Sequence, residues 1–261
     1  MDAVDHVVLG AGAVGLAVAE ALARRGESVR VVNRSGLREP IAGIQSVRGE
    51  VTDSAFAASA TRGARVVYQA LNPPYHRWAQ EFPRLQAAAI DAAQSLIGDW
   101  VIPPALADKR ASVMGNPDMP HTYTFIPDIG ENLVRLGERD DALGRIWHLP
   151  SPETRTTRDV IGLVYRAAGT KPRLKVTPAW QMRALGLVNR TVREINEMSY
   201  EFDEPFIVDA TRAETELGLR ATPLADAVEQ TVRWCRDQAI PPAAADPKPS
   251  GQIAAGAGSN R

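Results

Sequence analysis

Short apolar blocks separated by polar, turn-forming residues set the rhythm of the first half of the chain. Val4, Val7, Val8 and Leu9 make one block, residues 28–32 a second, residues 43–47 a third and residues 63–70 a fourth. Each has strand length and is rich in β-branched residues. Between them, residues 16–25 are Ala-rich and amphipathic. Residues 54–61 have helical spacing behind Asp53, a residue type that caps helix N-termini. This alternation predicts an α/β fold, a Rossmann-type doubly wound parallel sheet. The fourth strand should stop at Asn72-Pro73-Pro74, because proline lacks the ladder donor. A long helical pattern then runs over residues 75–96, with a break near Pro83.

From Trp100 onward the texture changes, and prolines punctuate shorter elements. Residues 122–126 read as a short β-rich run. Residues 127–138 read as a helix with proline in its first turn, a tolerated position. Residues 145–149 read as a short strand. Thr156 or Thr157 should cap a helix that ends at Ala168-Gly169. Further helical patterns cover residues 178–187, 191–200, 209–218 and 223–238, with a short extended piece at 206–208. The pattern implies a smaller α+β domain beside the sheet. No internal repeat is present.

Composition narrows the partners. Of the 261 residues, 44% are hydrophobic and 23% charged, as in soluble globular proteins, and the net charge is −1. No basic stripe favours nucleic acid or an anionic membrane. No apolar run reaches membrane-spanning length. The chain passes straight into its first strand, so no signal peptide is expected. Cys235 is the single cysteine, which rules out an intrachain disulfide framework, and a packed thiol is expected there. His6, His76, His121 and His148 are scattered without ligand spacing, so no metal is expected. A cytoplasmic setting follows as the expectation.

The chemistry concentrates behind the first strand. Gly10, Gly12 and Gly15 stand at G-x-G-x-x-G spacing between a strand and a helix start. The first glycine permits the turn, the second admits a pyrophosphate to the backbone, and the third lets helix pack on strand. The amides of Ala13, Val14 and Gly15 then face an anion. After the second strand an NAD site usually carries Asp or Glu on the ribose, but here the residues are Asn33-Arg34-Ser35. Arg34 could pair with a 2′-phosphate, which favours NADP with NAD as the alternative. It could equally be a solvated loop arginine. In a doubly wound sheet, Glu50, Val51, Ala70 and Leu71 would meet the glycine loop at the carboxyl edge. On this reading residues 1–98 form the dinucleotide-binding domain. Residues 99–238 form the remaining sheet edge and a substrate-type domain. Residues 239–261, rich in Ala, Pro, Gly and Ser, form a disordered tail.

Several stretches match one family in order: residues 7–15, 49–53, 66–74, His121-Thr122-Tyr123-Thr124-Phe125-Ile126-Pro127-Asp128, 144–150, and 206–234 with its Leu217-Gly218 pair. Through them the chain resembles the NAD(P)-dependent epimerase/dehydratase family, the extended or atypical short-chain dehydrogenases/reductases. That branch usually spaces its glycines G-x-x-G-x-x-G, and Leu9 occupies the first place here. The resemblance implies a carbonyl/alcohol oxidoreductase or epimerase. Its substrate would be a sugar nucleotide, a steroid-like alcohol or another small carbonyl. The family moves its proton through a tyrosine four residues before a lysine, whose ammonium lowers the tyrosine pKa. The lysines here are Lys109, Lys171, Lys175 and Lys248, and the residues four places earlier are Ala105, Ala167, Lys171 and Ala244. No Tyr-x-x-x-Lys exists. The resemblance therefore implies an internal deletion, because residues 96–100 pass almost directly into a helix over 101–109. The catalytic helix and two core strands would be gone. The surviving strands would run 3-2-1-4, with an open edge on the fourth that invites a partner chain, a second copy included.

Four readings compete at this level. The chain is an oxidoreductase- or epimerase-like protein with impaired or absent tyrosine-dependent catalysis. Alternatively it is a non-catalytic NADP-binding redox sensor, or a ketopantoate-reductase-type enzyme. The fourth reading is a truncated product of a longer gene. No catalytic residue is assigned. Tyr123 is the least implausible substitute acid, although packing in a small sheet suits it better. Asp128 reads as a helix cap rather than a base. His121 and His148 read as surface or hydrogen-bonded residues.

Overall fold

The computed structural model describes residues 3–71, 101–188, 192–193, 196 and 199–238. The expectations for residues 72–74, the 75–96 helix, half of the 191–200 helix and the 239–261 tail fall outside those residues.

The first half is a four-stranded parallel sheet. Strands β1 (His6–Leu9), β2 (Val29–Asn33), β3 (Ile44–Arg48) and β4 (Val66–Gln69) stand in the order β3-β2-β1-β4. The register aligns Leu9 with both Val32 and Gln69, and Asn33 with Arg48. Side chains alternate between faces as the pleat requires. Val8, Val29 and Val31 pack toward helix α1 (Ala13–Arg24). Val7 and Val32 pack with Ala60 of helix α2 (Ser54–Thr61) on the other face. Two covered faces explain why β1 and β2 read as continuous apolar runs. The fully buried Arg30 is held by the Gln45 side chain and the Ala60 carbonyl. Asp53 caps α2 as expected, accepting from the Ala55 and Phe56 amides.

A second helix completes the α1 face. Beyond α3 (Ile102–Leu106), α4 (Ile126–Gly137) lies along α1. Gly130 makes the approach possible, since a Cβ there would sit 2.5 Å from the Ala17 carbonyl oxygen. At the far end Arg25 bonds both Glu131 and Glu138. Residue 17 meets 130 and residue 25 meets 138, so the two helices run parallel. The start of α4 therefore lies at the same end of the sheet as the start of α1.

The second core lies among α3, strand β5 (Ala111–Met114), helix α5 (Thr157–Ala168) and the last helix, α9 (Leu224–Asp237). Cys235 is buried there. Helix α5 starts with a reciprocal capping box between Thr156 and Asp159 and ends at Gly169, as the sequence predicts. Helices α6 (Ala179–Val188), α7 (Tyr200–Asp203) and α8 (Thr211–Glu216) precede α9.

Two expectations are corrected, and one pairing was not foreseen. Residues 122–126 are not a strand. The ladder is confined to β6 (Pro120–His121), which pairs antiparallel with β7 (Arg155–Thr156) and bridges His121 to Phe206. The chain must leave it at once because Phe125 already caps α4. Residues 145–149 form no ladder. Ile146 is 87% exposed, and Trp147 is held by its indole bond to the Ala142 carbonyl with Arg145 and Arg212 over its ring. A parallel pair went unread: β5 with β8 (Leu174–Thr177), aligned Ala111 to Leu174. No helix among the described residues is long and apolar enough to cross a membrane.

Candidate functional site

The loop from Gly10 to Gly15 is shaped by three different constraints. Gly10 has φ +109°, outside the range an L side chain adopts comfortably, and a Cβ there would lie 2.5 Å from the Ala70 carbonyl oxygen. A Cβ on Gly15 would overlap the Gly10 carbonyl oxygen. Gly12 has no described residue within 4 Å of that position. Two glycines are thus demanded by the protein itself, and the third faces space that no described residue fills.

Gly12 is the N-cap of α1, and it offers no side-chain cap. The first turn holds no acidic residue. The first intrahelical bond runs from the Leu16 amide to the Gly12 carbonyl. The amides of Ala13, Val14 and Gly15 therefore have no partner among the described residues. Most helices answer these donors with a side chain or water. Open amides at a helix N-terminus favour a negative charge in front of them.

The neighbouring strand ends gather around this loop. The Gly10 amide donates to the Val32 carbonyl at 2.8 Å, and the Ala70 amide to Leu9 at 2.8 Å. The Gly49 amide donates to Asn33 at 2.9 Å, tying the turn of Glu50 and Val51 to the end of β2. All the residues singled out from sequence, Gly10, Gly12, Ala13, Val14, Gly15, Asn33, Arg34, Glu50, Val51, Ala70 and Leu71, stand at the carboxyl edge of one sheet. Their contacts differ. Val51 packs inward with Phe56, and Glu50 accepts from the Thr52 amide at 3.3 Å. Asn33 donates to the Gly36 carbonyl and the Ser35 hydroxyl, while its buried Oδ1 has no donor among the described residues. Such an orphaned acceptor suits a ribose hydroxyl. Open space over Gly12, bare amides and this acceptor all fit the diphosphate and ribose of a dinucleotide.

Sequence reading missed Arg48. It ends β3 opposite Asn33, and its Nε donates to the Arg34 carbonyl at 3.0 Å. The signal was available only through strand register, which a motif search does not supply.

No protein-family model and no curated protein matches the chain. Solved structures do. UDP-glucuronic acid 4-epimerase from Bacillus cereus, in complex with UDP-glucuronic acid and NAD, aligns with TM-score 0.64 at 13% identity over 89% of this chain and 99% of that one. Epimerase Mth375 from Methanothermobacter thermautotrophicus gives TM-score 0.65 at 13% identity over 91% and 93%. WbmG from Bordetella bronchiseptica, in complex with NAD and UDP, gives 0.60 at 14% identity over 93% and 98%. The chain shares its fold with these proteins.

Within this fold the described tyrosines are all placed. Tyr165 is buried and bonds the backbone of Lys109, Ala111 and Arg173. Tyr68 is buried in the sheet without a hydroxyl partner among the described residues, and burial pushes its pKa up to about 12. Tyr200 is exposed on α7. Tyr123 precedes α4, so it lies at the carboxyl end of the sheet. Its hydroxyl meets Thr157 Oγ1 at 2.7 Å, and burial pushes its pKa up. A tyrosine with a raised pKa holds its proton, the reverse of the activation an adjacent lysine would give.

The remaining candidates have structural partners. Asp128 is not a cap, since Phe125 occupies that position. Its carboxylate instead accepts from the Thr222 amide and hydroxyl, each at 2.7 Å, and staples α4 to the loop before α9. His121 bonds the Met119 carbonyl and His148 the Asp209 carbonyl.

Proposed function

We propose that the chain is a nicotinamide-dinucleotide-binding member of the epimerase/dehydratase family within the extended short-chain dehydrogenases/reductases. Gly10, Gly12 and Gly15 with the amides of Ala13 and Val14 hold the diphosphate, Asn33 and Arg34 the adenosine ribose, and Glu50, Val51, Ala70 and Leu71 line the adenine side. Arg34, with no carboxylate beside it, selects NADP over NAD. The observation that carries this reading is the space over Gly12, filled by no described residue, in front of three bare amides. Complexes of structural neighbours with NAD support it. The substrate class is a sugar nucleotide or another small carbonyl/alcohol, in line with the UDP-sugar ligand of the Bacillus cereus neighbour. Tyrosine-dependent hydride transfer is impaired or lost, because no Tyr-x-x-x-Lys exists in the sequence and no cation among the described residues activates Tyr123.

The test is thermal unfolding of the whole chain with NADPH and with NADH. A ligand of the native state raises the midpoint. A rise with NADPH alone supports the assignment, and no rise with either ends it. A second reading, a non-catalytic NADP-binding sensor, is favoured by the same missing pair. Binding without turnover of any carbonyl substrate distinguishes it from an enzyme.

A further inference from the structure

The positive charge at the carboxyl end of β2 and β3 goes beyond the single arginine after β2. Arg34 follows β2 and Arg48 ends β3, directly opposite Asn33 in the parallel register. Arg48 Nε lies 3.0 Å from the Arg34 carbonyl, so one guanidinium is seated on the backbone that carries the other. That bond uses Nε and leaves both terminal nitrogens of Arg48 uncommitted. Both side chains are exposed, and neither has a carboxylate partner among the described residues. This contrasts with Arg25, Arg139, Arg158 and Arg212, all of which are ion-paired. The nearby acids are engaged elsewhere: Glu50 holds the Thr52 amide and Asp53 caps α2.

We propose that Arg48 is a specificity-determining residue that clamps a 2′-phosphomonoester on the adenosine ribose together with Arg34. The inference rests on the dinucleotide reading above and assigns a second residue to it. A dianionic phosphate offers three oxygens, and one guanidinium satisfies at most two of them in its fork geometry. Two guanidiniums from adjacent strands complete the set. The Arg48–Arg34 carbonyl bond fixes the loop before ligand arrives, which reduces the ordering cost of binding. An unphosphorylated ribose gains nothing from Arg48.

The experiment is calorimetric titration of the full chain and of Arg48→Ala, Arg48→Lys and Arg34→Ala with NADP+, NAD+, 2′,5′-ADP and 5′-AMP. Arg48→Ala should weaken NADP+ and 2′,5′-ADP by about tenfold to a hundredfold, the span expected for losing a charge-assisted bond. NAD+ and 5′-AMP should change by less than about twofold, well below that span. Arg48→Lys should recover part of the loss as a point charge without the fork. An equal loss for all four ligands would make Arg48 merely a support of the loop and overturn the clamp. So would an unchanged NADP+ affinity, or wild-type binding of NAD+ with no preference for NADP+. Wild-type failure to bind any of the four ligands would instead overturn the dinucleotide reading, and the clamp with it.

Discussion

Gly15 in the first turn of α1 rests on the carbonyl of Gly10, so closely that no Cβ could stand between them. The loop and the helix are one packed unit at this point. Gly15→Ala should therefore destabilise the fold by roughly 1–3 kcal/mol, the range for overpacking. Gly12→Ala meets no described residue and should cost only about 0.5–1 kcal/mol as a change of N-cap residue. If the loop binds a diphosphate, Gly12→Ala should still weaken dinucleotide binding by about tenfold or more, the equivalent of a modest clash. Denaturant melts of the two variants, with titrations alongside, check both halves.

Asp128 and Thr222 join segments far apart in the chain through two 2.7 Å bonds. Asp128→Ala should cost about 2 kcal/mol, since the bonds involve a carboxylate. Thr222→Val loses only the hydroxyl donor and should cost about 1 kcal/mol. A double-mutant cycle on urea-unfolding midpoints should show coupling between them. Strict additivity would place the stabilisation elsewhere.

Tyr68 has a buried hydroxyl without a partner among the described residues. Tyr68→Phe should therefore leave stability at neutral pH unchanged or raise it by about 1 kcal/mol, the penalty of an unmet buried group. The pH dependence has a definite sign. Burial raises the folded pKa from 10.0 to about 12, so the native state holds a proton the unfolded chain releases first. The contribution is complete below pH 10 and is lost as pH rises toward 12, with a slope of at most about 1.4 kcal/mol per pH unit. Tyr123, also raised by burial, adds a slope of the same sign. Unfolding midpoints measured from pH 8 upward should show a shallower alkaline fall in Tyr68→Phe.

The reciprocal cap at the start of α5 is a local device with a clean test. Thr156→Ala removes the acceptor for the Asp159 amide and should cost about 1 kcal/mol. Hydrogen exchange should report earlier opening of the first turn of α5 than of its centre.

The four strands and the glycine loop were legible because their signals are local, whereas the order β3-β2-β1-β4 came from the family resemblance. Apolar period, glycine spacing and the Asp53 cap are each read within a dozen residues. The failures share one cause, distance along the chain. Asp128 looks like a cap to any rule that sees only its neighbours, yet its partner is 94 residues away. Strand β5 is four residues of modest β-propensity, and only its pairing with Leu174–Thr177 makes it a strand. Residues 145–149 carry strand-like apolar spacing, but Trp147 is occupied by two arginines and no second strand among the described residues receives the backbone. Arg48 is unremarkable in sequence and becomes visible once register sets it against Asn33.

The parallel pairing of α1 with α4 has a consequence for biosynthesis. Arg25 waits for Glu131, 106 positions later. At typical translation speeds of about 5–20 residues per second, α1 spends roughly 5–20 s without its cover. During that interval the apolar stripe of the nascent segment is open to chaperones or to another unfinished copy. One vulnerable interval for the chain is therefore on the ribosome, before the glutamates that receive Arg25 have been made.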